Sequence, residues 1–238
     1  MPFEDRTGGM DTRRETLDAV RAALPVMVGY VSIGLPCGIM EQQAGLGVLQ
    51  TIMLSCLFYS GAGQFMISGM WMAGSPVSAI IASVSAVSAR QVLYAASLSK
   101  YIDAVKKRLA LLFALGVTDE TFGVNVQRFE SGPWTTSQAL LVNLLCCASW
   151  TVANVAGVLL GSVVSIPTAV GAFAMTSIFV CLLFTQKKSV LNAVVACAAF
   201  AGVIVCKLVG LSNPAIVAGA AVGVVTGLAY LRGRGKGR

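Results

Sequence analysis

The chain has 238 residues, with 17 basic and 10 acidic side chains, no histidine and a net charge of +7. Apolar residues make up 56% and charged residues 11%, with a mean hydropathy of +0.80, whereas an ordinary soluble domain is about one quarter charged. This composition excludes a soluble globular enzyme and a disordered chain, and the lack of histidine removes Ser-His-Asp catalysis, imidazole metal ligands and histidine proton relays.

The charges are clustered. None lies between Glu41 and Arg90, and none between Glu130 and Lys187. Each gap is about 50 residues, room for two spans of roughly 20 residues. That rules out a protein with a single anchor. Residues 1–21 hold nine charges and read as a cytoplasmic tail, not a cleavable signal. Asp11 or Thr12 is placed to cap a short helix through Arg13, Arg14, Leu17 and Arg21.

The apolar segments then follow in order, making residues 22–231 one transmembrane domain. Segment one runs from about Ala22 to Met40 and segment two from about Leu46 to Ala73, which is long enough to imply tilt or a break. Segment three covers about Val77–Leu98 and is rich in serine. A basic stretch from Lys100 to Arg108 comes next. Segment four, about Leu109–Val126, is interrupted by Asp119 and Glu120. Segments five to eight cover about Gln138–Val164, Thr168–Thr185, Val190–Val209 and Ala215–Leu231. Residues 232–238 form a basic tail with Arg232, Arg234, Lys236 and Arg238.

Hydrocarbon offers no water to backbone groups, so spanning segments are helices or closed barrels. Barrel strands alternate apolar and polar residues, and these runs do not. The expected fold is therefore an all-α, polytopic integral membrane protein with seven or eight apolar segments and broken helices in its first half. Eight full spans put Lys187-Lys188 inside but Lys106, Lys107 and Arg108 outside, against the positive-inside rule. One segment that enters and returns resolves that conflict and places the termini on opposite sides. The basic residues sit at segment ends, where they orient a membrane protein. They give no nucleic-acid face.

Three places depart from the apolar pattern. Gly34, Pro36 and Gly38 fall within segment one, where a proline removes a backbone hydrogen bond. Tyr59-Ser-Gly-Ala-Gly-Gln-Phe65 lies midway along segment two, with Gly61 and Gly63 beside polar Ser60 and Gln64. Discontinuous helices of this kind hold substrate in secondary transporters, while glycines also serve close helix packing. The third place is the set of buried charges. Arg90 shares a helix face with Ser83 and Ser97. It is expected to pair with Asp119 or Glu120, leaving the other carboxylate to carry protons or to meet a substrate ammonium.

Gly219, Gly223 and Gly227 form a ladder suited to helix packing in segment eight, as do Gly157 and Gly161 in segment five. The seven cysteines all lie in apolar segments without a CxxC pair and read as small hydrophobes. No metal site, cofactor site or phosphate-cradling loop is expected.

Four of these stretches also carry a family resemblance. Pro25 with Gly34, Pro36 and Gly38, the Tyr59–Phe65 stretch, Ser88-Ala-Arg90-Gln-Val-Leu-Tyr94 through Ser97-Leu98, and Thr118-Asp119-Glu120-Thr121-Phe122 resemble, in order, the motifs of the AzlC/YgaZ family of branched-chain amino-acid permeases. The resemblance runs from about Ala23 to Tyr230, and its second half is general in character. Ser88 and Gln91 stand where that family often has asparagine and histidine.

The resemblance implies a multi-pass permease of the bacterial cytoplasmic membrane. It would export branched-chain or related hydrophobic amino acids, with a small membrane partner of the AzlD/YgaH type. It leaves open whether the complex forms a homo-oligomer. Gly34, Pro36, Gly38, Tyr59, Gly61, Gly63, Gln64, Ser88 and Arg90 are then the candidate substrate contacts, and Asp119 and Glu120 the candidate proton-coupling groups. A membrane enzyme fits poorly with one acidic pair and no histidine. A non-transporting scaffold or assembly subunit is the alternative to a permease.

Overall fold

Two helices set the frame. Helix α1 (Thr12–Gln43) and helix α7 (Thr136–Val163) pack against each other along much of their length. The structure is a computed structural model that describes residues 12–102, 107–164, 189–210 and 215–235, with Phe173, Thr176, Ser177 and Val180. Between the two long helices lie α2 (Val48–Leu57), α3 (Gly61–Met72), α4 (Val77–Leu98), α5 (Lys107–Leu115) and α6 (Asp119–Ser131). A short 3₁₀ turn, Ser99–Tyr101, ends α4. Helices α8 (Val190–Leu208) and α9 (Ala215–Gly235) follow as a packed pair. No strand occurs among the described residues.

Among the described residues, four helices are long and apolar enough to cross a membrane: Arg13–Gln43, Val77–Tyr101, Thr136–Val163 and Val190–Leu208. Their outward faces carry exposed Val28, Val31, Val92, Leu93, Leu144, Val152, Phe200 and Val205. Apolar side chains exposed this densely belong in lipid. Segment six of the sequence reading and the tail before Thr12 fall largely or wholly outside the described residues.

The first half is broken at the expected place in segment two, and also in segment four, which reads from the residues as one segment interrupted by Asp119 and Glu120. Segment two divides into α2 and α3 at Phe58–Ser60, and segment four into α5 and α6 at Gly116–Thr118. The expected break at Gly34–Gly38 does not occur, and α1 runs unbroken through Pro25 and Pro36. Packing explains the difference. A Cβ at Gly34 would stand 2.7 Å from the Ala153 Cβ, and one at Gly38 would fall on the Asn154 carbonyl oxygen. One at Gly157 would fall on the Leu35 carbonyl. The missing Pro36 hydrogen bond is a smaller cost than opening a stretch whose glycines are clamped against α7. Ser149 also donates to the Met27 carbonyl at 3.0 Å, tying the two helices where Pro25 begins the apolar run.

The expected N-terminal helix is present but is continuous with α1 from Thr12. The ladder of Gly219, Gly223 and Gly227 faces Val195, Ala199 and Val203 of α8. Exchanging Gly38 for valine should destabilise the fold by about 1–3 kcal/mol through overpacking. A melting curve in detergent, followed by size-exclusion, checks this. Gly29→Ala, where an added Cβ meets nothing within 4 Å, should leave the curve unchanged or raise it slightly, since alanine is the better helix former.

Candidate functional site

The break between α2 and α3 survives in an apolar setting because side chains take over its backbone groups. Gln64 donates through Nε2 to the Phe58 carbonyl at 3.1 Å, and Gln91 of α4 donates to the Tyr59 carbonyl at 3.0 Å. Ser60 caps α3 by accepting from the Gly63 amide at 3.3 Å, and its carbonyl accepts from Gln64. A helix leaves its first amides without intrahelical partners. Once Gly63 and Gln64 are satisfied, the Gly61 and Ala62 amides remain for a ligand. They sit at the positive end of the helix dipole.

The second break is capped in the same way. The Thr118 hydroxyl accepts from the Thr121 amide at 3.3 Å, and the Thr121 hydroxyl accepts from the Thr118 amide at 2.8 Å. On α7, Asn143 donates to the Phe113 carbonyl at 3.3 Å and accepts from Asn125 at 3.0 Å. These bonds satisfy the end of α5 and tie α6 to α7.

The two broken ends meet at one open pocket. Tyr30 and Ile33 of α1, Tyr59, Ser60, Gly61, Ala62 and Phe65 at the first break, Arg90 and Gln91 of α4, Thr118, Asp119 and Glu120 at the second break, and Trp150 of α7 line it. Tyr30 lies at the centre. Its hydroxyl donates to Glu120 Oε2 at 2.8 Å, so the Thr118 hydroxyl, 2.7 Å away, donates to it. The Tyr30 ring meets Trp150 edge-on at 5.4 Å and Tyr59 at 6.3 Å. The Trp150 indole N–H donates to Gln64 Oε1 at 2.9 Å.

The buried charges pair as one of the two expected alternatives. Arg90 Nη1 lies 2.8 Å from Asp119 Oδ2. Tyr94 stacks on Phe122 at 4.6 Å, so α4 and α6 are fastened at two points. Glu120 is exposed toward the pocket mouth with one oxygen held by Tyr30.

Of the candidate residues, Tyr59, Gly61, Arg90, Asp119 and Glu120 come together on the pocket wall. Gly34, Pro36, Gly38, Gly63, Gln64 and Ser88 are not among its lining residues. Gln64 is buried behind Trp150, and a Cβ at Gly63 would press on the Phe58 ring. The Ser88 hydroxyl is buried without a hydrogen-bond partner. Among the described residues, no three Cys, Asp or Glu side chains are grouped to hold a metal.

Sequence reasoning missed Tyr30, Ile33 and Trp150. The signal was a face on each long helix. Asn143, Trp150, Asn154 and Gly157 recur at helical spacing in α7, as do Tyr30, Gly34, Cys37 and Glu41 in α1. Both faces are polar or small within otherwise apolar helices.

The comparisons with known proteins agree with this architecture. The family model described as AzlC protein matches residues 25–164, which contain every residue that lines the pocket. The chain is 28% identical to the inner membrane protein YgaZ of Escherichia coli K12, over 89% of this chain and 89% of that protein. It is 28% identical to the branched-chain amino acid transport protein AzlC of Bacillus subtilis 168, over 74% of this chain and 71% of that protein. It is 30% identical to an uncharacterized membrane protein of Helicobacter pylori 26695, over 74% and 77% of the two chains. No solved structure gives a significant match.

The Arg90–Asp119 pair gives a direct test of the α4–α6 junction. Arg90→Glu and Asp119→Arg should each lower thermal stability, and the double exchange should restore part of it. Both groups are partly exposed, so the coupling in a double-mutant cycle should be about 1 kcal/mol.

Proposed function

The chain belongs to the AzlC family, and from that premise we propose that it is a secondary transporter for branched-chain or related hydrophobic amino acids. The observation that carries the proposal is the composition of the pocket wall. It sets two free amides at a helix N-terminus, a carboxylate and an aromatic wall around one space. Those are the three kinds of partner that an apolar zwitterion needs.

In this reading, the Gly61 and Ala62 amides receive the substrate carboxylate. Glu120 receives the ammonium. The side chain lies against Ile33, Phe65 and Trp150. Arg90 balances Asp119 and holds the second broken helix in position, so the pocket keeps one uncommitted acidic group facing the ligand. Ser60 and Thr118 act by fixing the two helix ends. Access alternates as the elements around the breaks rock about the bound substrate.

The proposal has two finer parts: export is coupled to protons, and the chain works with a small membrane subunit of the AzlD/YgaH type, the partner that the family resemblance implies. The relative from Bacillus subtilis, named for branched-chain amino acid transport, supports the substrate class.

Proteoliposomes test the proposal with radiolabelled valine, with and without the small subunit. Folded protein that gives no valine flux in either case would leave the scaffold reading in its place. Glu120→Gln should raise the KM for valine by roughly tenfold or more, the loss expected when a charged hydrogen-bond partner becomes neutral. Both ends of the zwitterion should matter. Valinamide, which lacks the carboxylate, and isovalerate, which lacks the ammonium, should each compete poorly. Equal competition by either would overturn the assignment of that end.

A further inference from the structure

Away from the pocket, one buried carboxylate is not matched by a cation among the described residues. Glu41 lies near the C-terminal end of α1 and is fully buried. The ion pairs among the described residues are Arg21–Asp18 and Arg90–Asp119, and neither involves it.

Among the described residues, its surroundings are neutral on every packed side. From α1, the Cys37 thiol lies 3.8 Å from Glu41 Oε1. From α2, Thr51 stands beside the carboxylate. From α3, Gln64 reaches the same Cys37, with Oε1 4.0 Å from the thiol. From α7, Asn154 borders the neighbouring turn of α1 at Gly38. Helices α2, α3 and α7 carry no charged residue at all. Of their thiols, Cys56 is exposed and Cys146 and Cys147 face Tyr59.

The local hydrogen bonding is incomplete. Neither Glu41 Oε2 nor the Thr51 hydroxyl completes a well-formed hydrogen bond, and the Ser55 hydroxyl and Asn154 Oδ1 are also buried without partners. An ionised carboxylate kept out of water without a cation is costly. A proton on Oε2 removes the charge and supplies a donor that a neighbouring hydroxyl oxygen can accept.

This group is also wired to the pocket. The Cys37 thiol has two acceptors within reach, Glu41 Oε1 and Gln64 Oε1. Gln64 Oε1 is the atom that holds the indole N–H of Trp150, and Trp150 lines the pocket. An ionised Glu41 draws the thiol proton toward itself. A protonated Glu41 releases the thiol toward Gln64 Oε1, the oxygen that also accepts from the Trp150 indole. The pocket wall and the carboxylate therefore share one two-position element.

We propose that Glu41 is a proton-binding site linked to the substrate pocket through Cys37, Gln64 and Trp150. Its role in transport rests on the transporter reading above. One proton binds Oε2 from water on one side of the membrane and leaves it to water on the other. No other bond forms or breaks.

The test has two arms on the full chain. Infrared difference spectra between high and low pH should show the C=O stretch of a buried protonated carboxylic acid in the wild type. That band should be lost in Glu41→Gln, and adding valine should shift it in the wild type but not in Cys37→Ala. The Cys37 variant keeps the carboxylate and so decides the matter even where Glu41→Gln folds poorly. In proteoliposomes, Glu41→Gln should retain valine counterflow and lose accumulation driven by a pH gradient. An unchanged band in Glu41→Gln, or gradient-driven accumulation equal to wild type, would overturn the proposal. Wild-type protein without counterflow overturns the transporter reading and any transport role for Glu41, while the infrared arm still decides whether Glu41 holds a proton.

Discussion

A backbone group released inside a membrane must find its partner within the protein, and this constraint shapes the first half of the chain. Two helices break where they do because side chains stand ready to receive the freed carbonyls and amides. Gln64 and Gln91 hold the carbonyls of Phe58 and Tyr59. Thr118, Thr121 and Asn143 do the same work around the second break. Without these side chains, each break would expose polar backbone to hydrocarbon at a cost of several kcal/mol per group.

The glycine contact between α1 and α7 serves a different purpose. Close approach at Gly34, Gly38 and Gly157 makes the pair a rigid backing. Tyr30 and Trp150 project from this backing into the space between the two broken ends, and their rings meet there. The broken helices supply polar groups and the unbroken pair supplies a fixed wall. A binding site needs both, because freed amides select a ligand only when something holds them at a constant distance from the other contacts.

The motifs that resemble a permease family are contiguous in space for the same reason. Gln91 reaches Tyr59, Arg90 reaches Asp119, and Tyr94 stacks on Phe122. The Tyr59–Phe65, Ser88–Leu98 and Thr118–Phe122 motifs thus complete one another's hydrogen bonds, charge pair and ring contact. Glu41 stands apart from them in sequence but touches the same network from behind through Cys37 and Gln64. Glu41, Cys37, Gln64 and Trp150 therefore form one line of contacts, with the pocket at one end and a solitary carboxylate at the other.

Much of this was legible in the residues. Scarcity and clustering of charge determined an all-helical membrane protein. Boundaries such as Val77–Leu98 followed from where apolar runs meet turn residues. The breaks at Tyr59–Phe65 and Thr118–Glu120 were marked by glycine, polar and charged residues that a continuous apolar helix does not need. What the residues left open was the use of each departure. Gly34, Pro36 and Gly38 carry the same composition as a break, yet α7 fills the space beside them and keeps α1 intact. Arg90 had two acidic partners to choose from, and the placement of α6 against α4 gave it Asp119. Glu41 looked like the polar end of a span, because its burial depends on α2 and α3 folding back over it. The sequence by itself determined which groups cannot face lipid. Only the tertiary structure decided which of them face one another, because that depends on contacts between segments far apart in the chain.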